Sequence, residues 1–246
     1  MKLAISARAR DQNRRWLRKG AVVLSHPAFV RAMVGHRVAA ATEHLEAIRL
    51  CAANTLVDVG ANKGQFSLAF RAVRPDAQII AFEPLPEAAD VYEKVFAQDG
   101  LVSIQRVALS TSSGKAQFYV TDRTDSSSLL RPAKGQDRLH RARTIEVPVR
   151  RLDECVDVAS LNRPSLLKVD VQGGELSVFA GCDALAEFDF VYAELGFVEV
   201  YEAQPLFREV AEYLAGRGFT IAGVFDQIAT REYGPTQVDA LFKRTQ

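Results

Sequence analysis

Two hydrophobic rhythms alternate along the chain from residue 54. Short apolar runs ending in an acid, a glycine or a proline read as strands: "TLVDVG" (55–60), "AQIIAFEP" (77–84) and "LVSIQRVALS" (101–110). Between them the period lengthens. "GQFSLAFRAVR" (64–74) sets Phe66, Ala69, Phe70 and Val73 on one helical face, and Pro75 stops it. "PEAADVYEKVFAQDG" (86–100) reads as a helix opening on Pro86 and closing on Gly100. Strands alternating with helices predict a parallel sheet with right-handed crossovers.

The alternation pauses over residues 111–152. "AQFYV" and "TIEVPVRRL" alternate polar and apolar around the polar run "TDRTDSSSLLRPAKGQDR", which predicts a small antiparallel insertion carrying a long loop. The rhythm then resumes with "SLLKVDV" (strand), "ELSVFAG" (helix), "FDFVYAEL" (strand) and "PLFREVAEYLAGRG" (helix). "FTIAGVFD" and "QVDALFKR" read as a hairpin at the sheet edge, which brings the count to seven strands. Upstream, residues 10–50 read as helical with a break at "SHP", and "VAAATEHLEAIRL" repeats Val38, Ala41, Leu45 and Ile48 at helical spacing. The expected organisation is an N-terminal helical arm (1–50) and an α/β domain (51–246) with an insertion at about 111–152.

Composition adds little to this picture, and charge adds one feature. The 246 residues carry a net charge of +1. Residues 1–50 hold ten Lys/Arg against three Asp/Glu, whereas the remainder is acidic. A basic arm suits the anionic inner face of a membrane; a solvated helical face is the simpler and favoured explanation. No run reaches the roughly 18 apolar residues that span a bilayer, and the arginine-rich start makes a poor secretion signal. Three scattered cysteines without a Cys-x-x-Cys pair read as core residues in a reducing cytosol. No base-flipping motif or aromatic-interleaved basic stripe points to nucleic acid.

The acids at the strand ends carry the chemistry. In an open α/β sheet, ligands lie beyond the carboxyl ends of the strands. Asp58, Gly60, Glu83 and Asp170 fall there. A dinucleotide would call for Gly-x-Gly-x-x-Gly around its pyrophosphate, yet the turn is Gly60-Ala61-Asn62-Lys63-Gly64, with Asn62 in place of the middle glycine. S-adenosylmethionine has no phosphate and carries an ammonium and a sulfonium. A carboxylate at Asp58 suits that cationic end, Gly60 lets the backbone approach the ligand, and Glu83 suits both ribose hydroxyls. Each residue also has a purely structural alternative: a strand–helix turn, a helix cap or a solvated strand end.

The motifs resemble the FkbM family of S-adenosylmethionine-dependent methyltransferases. "VDVGANKGQFS", "FEPLPEAADVYEK", "VALSTSSGKAQFYV", "SSSLL", "VPVRRLDE", "LLKVDVQGGELSVFAG" and "FVYAEL" follow the family's order from about residue 54 to 195. The resemblance implies a class I methyltransferase fold, Rossmann-like, with a mostly parallel seven-stranded sheet and helices on both faces. It implies methyl transfer to a hydroxyl of a sugar, glycan or secondary metabolite. The implied cofactor-binding set is Asp58, Gly60, Ala61, Asn62, Gly64, Phe66, Ser67, Glu83, Pro84, Ala108 and Asp170. The fourth motif usually reads Asp-x-Glu-Gly; here Gln172 replaces the glutamate, keeping hydrogen bonding and losing a charge.

An alcohol is a weak nucleophile, so a general base assists its attack. Asp170, ending the fourth strand, is the first candidate, and Glu194, ending the fifth, is the second. Paired carboxylates also suit Mg²⁺, although no residue is assigned to a metal. His140 and the arginines around it could reach over the site from the insertion. Two other readings remain at this stage: an NAD(P)-dependent oxidoreductase on a related sheet, and a non-catalytic S-adenosylmethionine-binding module.

Overall fold

The computed structural model describes residues 26–134, 143–230 and 234–245. In chain order the elements are α1 (Pro27–His36), a 3-10 turn (Thr42–His44), α2 (Leu45–Cys51), β1 (Thr55–Val59), α3 (Gln65–Val73), β2 (Gln78–Phe82) and α4 (Pro86–Val95). There follow β3 (Val102–Gln105), β4 (Ala108–Leu109), β5 (Gly114–Val120), β6 (Arg143–Arg150) and α5 (Leu152–Cys155). The last set is β7 (Ser165–Val169), α6 (Glu175–Ala180), β8 (Phe190–Gly196), α7 (Phe207–Ala215), β9 (Phe219–Thr230) and β10 (Gly234–Arg244).

The main sheet has seven strands in the order β3-β2-β1-β7-β8-β10-β9. β10 runs antiparallel to both of its neighbours, β8 and β9, and the other pairings are parallel. The terminal hairpin is therefore present, with β10 lodged inside the sheet and β9 at its edge. The insertion forms a second sheet, β4-β6-β5. Its β5–β6 pair is antiparallel as expected, but β4 joins β6 in parallel.

Three boundaries differ from the sequence reading. The run at 101–110 is two strands, because the chain leaves the main sheet after Gln105 and Ala108–Leu109 pairs with the insertion. α4 ends at Val95, short of Gly100. The helix expected from Val38 begins at Leu45, while Val38 and Ala40 pack as an extended segment beside Phe29 and Tyr92.

The alternating pleat of β1 divides the core. Val57 and Val59 face α6 and α7, in one cluster with Val178, Phe179, Val210 and Leu214. Leu56 faces the opposite side, with Phe66, Ala69 and Phe70 of α3 and Ile48 of α2. The predicted face of α3 is the one that packs, and Phe70 is fully buried. Burying a phenylalanine of this kind is worth about 2–3 kcal/mol, so α3 is pinned under the β1 turn it follows. Cys51 and Cys182 are buried core residues and Cys155 is half-buried, all with free thiols. No helix among the described residues is long and apolar enough to cross a membrane. The basic segment 1–25, half of the expected helical arm, lies outside the described residues.

Candidate active site

The Gly60 turn closes against the end of β7. Gly60 has φ +74°, and a Cβ there would fall 1.9 Å from the Asp170 carbonyl oxygen. Glycine is thus required by the neighbouring strand's backbone, whereas the sequence suggested ligand approach. Asn62 follows with φ 47° and donates its backbone N–H to Glu83 Oε2 at 2.8 Å. Glu83 Oε1 accepts the backbone N–H of Leu85 at 2.8 Å. Two amides therefore aim the carboxylate, and burial pushes its pKa up to about 7.

A cleft with a volume of about 130 Å³ lies over these strand ends. Gly60, Asn62, Glu83, Pro84, Ala108 and Asp170 line it, joining six of the expected residues in one place. Phe82, Leu109, Phe118 and Leu129 supply apolar wall. The insertion loop covers one side: Thr124 Oγ1 donates to Asn62 Oδ1 at 3.3 Å, and Ser128 Oγ donates to the Gln172 carbonyl at 2.8 Å. Ser127 Oγ accepts the Thr121 N–H, so this hydroxyl braces the loop.

The other expected residues stand elsewhere. Asp58 is fully buried and does not line the cleft. The pleat explains its placement, because Asp58 shares the Leu56 face under α3. There Ser67 Oγ donates to Asp58 Oδ2 at 2.6 Å, and Lys168 Nζ lies 3.1 Å from Oδ1. Of the two expected ways for Asp58 to hold a cationic ligand end, directly or through water, the direct one is replaced by this internal ion pair. Ser67 is consumed in the same network, receiving a hydrogen bond from Tyr92. Gly64 (φ +91°) faces Tyr92 and Phe96, where a Cβ would lie 2.7 Å from the Phe96 ring.

Lys168 was not foreseen. Burial alone would lower the pKa of this ammonium, but Asp58 and Asp170 outweigh burial and hold it above its ordinary value. Its Nζ also donates to the Gly60 carbonyl at 2.9 Å and stands 3.8 Å from Asp170 Oδ2. The lysine thus ties the buried acid to the turn and to the cleft. A cation inside the apolar run "LLKVDV" was the sequence signal for it.

A second cavity adjoins the first and shares Gly60, Asn62, Asp125 and Asp170 with it. Ala61, Phe66 and Glu194 open onto this cavity, together with His44, Tyr192 and Asp239. The Phe66 and Tyr192 rings stack with centroids 5.8 Å apart, and His44 Nδ1 lies 2.9 Å from the Tyr192 hydroxyl. Burial lowers the His44 pKa, and burial followed by Asp170 and Asp226 raises Asp239 to about 8. Glu194 is raised well above the carboxylate range by burial, then by Asp170 and Asp239. Glu175 does not face this cavity. Its Oε1 accepts the backbone N–H groups of Val171 and Gly173 at 3.1 and 3.0 Å, fixing the loop after β7. Among the described residues no group of three or more His, Cys, Asp or Glu converges to hold a metal ion, so the Mg²⁺ alternative gains no support there. His140 and its neighbouring arginines lie outside the described residues.

A parallel sheet whose sixth position is filled by a reversed strand, with the cleft over its β1–β2–β7 ends, is the class I methyltransferase fold. A solved O-methyltransferase, TomG from Streptomyces achromogenes in complex with S-adenosylmethionine, superposes with a TM-score of 0.52 at 17% identity, covering 90% of this chain and 91% of that one. The family profile described as "Methyltransferase FkbM domain" matches residues 58–221, and the chain belongs to that family. Similar proteins include the 2-O-methyltransferase NoeI of Sinorhizobium fredii, 30% identical over 65% of this chain and 70% of that protein. The hexuronic acid methyltransferase AglP of Haloferax volcanii is 31% identical over 58% of this chain and 56% of its own. This chain is a methyltransferase by family.

Proposed function

We propose that the chain moves a methyl group from S-adenosylmethionine to a hydroxyl oxygen of a sugar, glycan or secondary metabolite. The observation that carries this reading is the pair Glu83 and Asp170, which face one cleft from either side of the Gly60–Asn62 turn. A mouth edged by carboxylates repels a pyrophosphate and accommodates a cationic, phosphate-free nucleoside. The cleft residues fit that donor: Glu83 presents a carboxylate to the ribose hydroxyls, and Pro84, Ala108 and Leu109 offer apolar surface to a base. Bound there, the sulfonium would supply an already activated methyl carbon. Asp58 acts at one remove in this scheme, holding Lys168 against the Gly60 carbonyl. The O-methylation named for NoeI supports the oxygen acceptor by analogy.

The acceptor enters the second cavity, whose boundary with the first is Asp170. Its Oδ2 takes the hydroxyl proton as the oxygen attacks. Phe66 and Tyr192 provide a flat wall that orients the acceptor and keeps water from the reacting oxygen. Titration calorimetry with S-adenosylmethionine and with NADH tests the donor: heat is expected with the first only, and heat with NADH alone overturns the reading. A labelled methyl donor offered with a panel of neutral sugars, uronic acids and polyketide alcohols tests the acceptor.

A further inference from the structure

Gln172 lines the first cavity beside Asp170, which borders both cavities. It sits in the left-handed region (φ 60°), a conformation costly for a residue with a Cβ, on the loop between β7 and α6. Its Nε2 donates to Asp170 Oδ1 at 2.8 Å and to Glu194 Oε2 at 2.7 Å. The single Tyr201 hydroxyl hydrogen is shared between two acceptors, the Ser126 carbonyl at 2.8 Å and Gln172 Oε1 at 3.1 Å. Nitrogen toward the carboxylates is the orientation that gives both amide hydrogens an acceptor, whereas the flipped amide would set its oxygen against two carboxylates. The two amide hydrogens thus serve two carboxylates that end adjacent strands.

The consequences for the two acids differ. Glu194 has both oxygens engaged, because Gln237 Nε2 donates to Oε1 at 2.6 Å. Asp170 has only Oδ1 in this clamp, and its Oδ2 stands 3.8 Å from Lys168 Nζ at the boundary of both cavities. The geometry points to Gln172 as a positioning residue of the transfer site: it holds Asp170 and Glu194 side by side and leaves Asp170 Oδ2 as the oxygen offered to the acceptor. Glu194 is then a supporting group and the catalytic base is Asp170 alone. This rests on the methyl-transfer reading above and assigns the labour within it. The charged and titratable groups around the pair are Lys168 on β7, Asp58 on β1, Asp239 on β10, Glu175 on α6, His44 beside α2, and Tyr201 and Asp125 on loops. The Gln172 contact opposes the upward push on Glu194 from burial, Asp170 and Asp239.

The test is Gln172→Met, which matches the length and donates nothing, read by carboxyl carbon NMR on glutamate-labelled protein. The Glu194 resonance is assigned by its loss in Glu194→Gln. Losing a hydrogen bond to a charged acceptor should move its titration up by about one pH unit. In methyl transfer the acidic limb of the pH–rate profile should move up, with kcat reduced at least about tenfold at neutral pH. Tyr201→Phe loosens the aim of the amide without changing residue 172, and should give a smaller shift in the same direction. An unmoved Glu194 titration in both folded variants overturns the proposal, as does a rate loss equal at every pH. The titration needs neither donor nor acceptor. Its failure is therefore distinct from failure of the methyl-transfer reading, which shows as no transfer by the unaltered protein at any pH.

Discussion

Gly60 and Asp170 occupy one space: the β1 turn reaches the β7 backbone so closely that a Cβ on the glycine would fall 1.9 Å from the aspartate's carbonyl oxygen. The turn that shapes the cleft and the strand end that carries Asp170 are therefore a single packed unit. Gly60→Ala should break it twice, through the clash and through a φ of +74° that alanine resists. A loss of about 3 kcal/mol in denaturant unfolding is expected, together with loss of the calorimetric signal for S-adenosylmethionine. A stable, binding-competent Gly60→Ala protein would contradict this packing.

Lys168 and Asp58 form a buried pair, so removing one partner leaves the other stranded. Lys168→Met should cost about 3–5 kcal/mol. The double variant Lys168→Met/Asp58→Asn should recover part of that loss, because no uncompensated charge remains. Thermal or urea unfolding of the four proteins in the cycle reads the coupling. Additive losses would show that the two side chains do not depend on each other.

Donor affinity should depend on the Glu83 charge. With its pKa raised by burial to about 7, Glu83 loses an acceptor oxygen to a proton as pH falls through that value. The dissociation constant for S-adenosylmethionine should therefore tighten as pH rises from about 6 to about 8, in the direction set by the raised pKa. Glu83→Gln should weaken binding by about tenfold and flatten the pH dependence. Calorimetry at three pH values decides it.

Asp239 makes the free protein less stable in alkali. Its pKa is pushed to about 8, first by burial and then by Asp170 and Asp226, against about 3.9 in the unfolded chain. The folded state keeps a proton that the unfolded state releases, so stability falls as pH rises between those two values and levels off above them. Asp239→Asn removes that penalty and should raise stability more at pH 8 than at pH 5, by roughly 2 kcal/mol. Melting temperatures at the two pH values check the sign.

Asp170→Asn should reduce methyl transfer at saturating donor by about 10²–10⁴-fold, the usual worth of a positioned base. Glu194→Gln should cost less, since both Glu194 oxygens already serve internal amides. A larger loss in Glu194→Gln than in Asp170→Asn would reverse the two roles. Rates measured with an acceptor found in the labelled-donor screen make the comparison.

Periodicity and punctuation in the sequence determined the order of strands and helices, the hairpin near the end, and the acids that close β2 and β7. These are local properties: an apolar run of five residues bounded by glycine or proline has few conformations open to it. Glu83 was legible as a cleft residue because the strand end fixes where it stands, whereas Asn62, Pro84 and Ala108 came from the family resemblance. Only the tertiary structure decided which way each acid points. Asp58 and Glu83 look alike in sequence, yet the pleat sends Asp58 under α3 toward Lys168, and Glu83 stands past the last residue of β2, where two backbone amides aim it. The second cavity was equally invisible, because His44, Phe66, Tyr192 and Asp239 come from four segments that meet only when β8 and β10 pair beside β7. Long-range pairing, not local pattern, made the cleft and the adjoining cavity meet at Asp170.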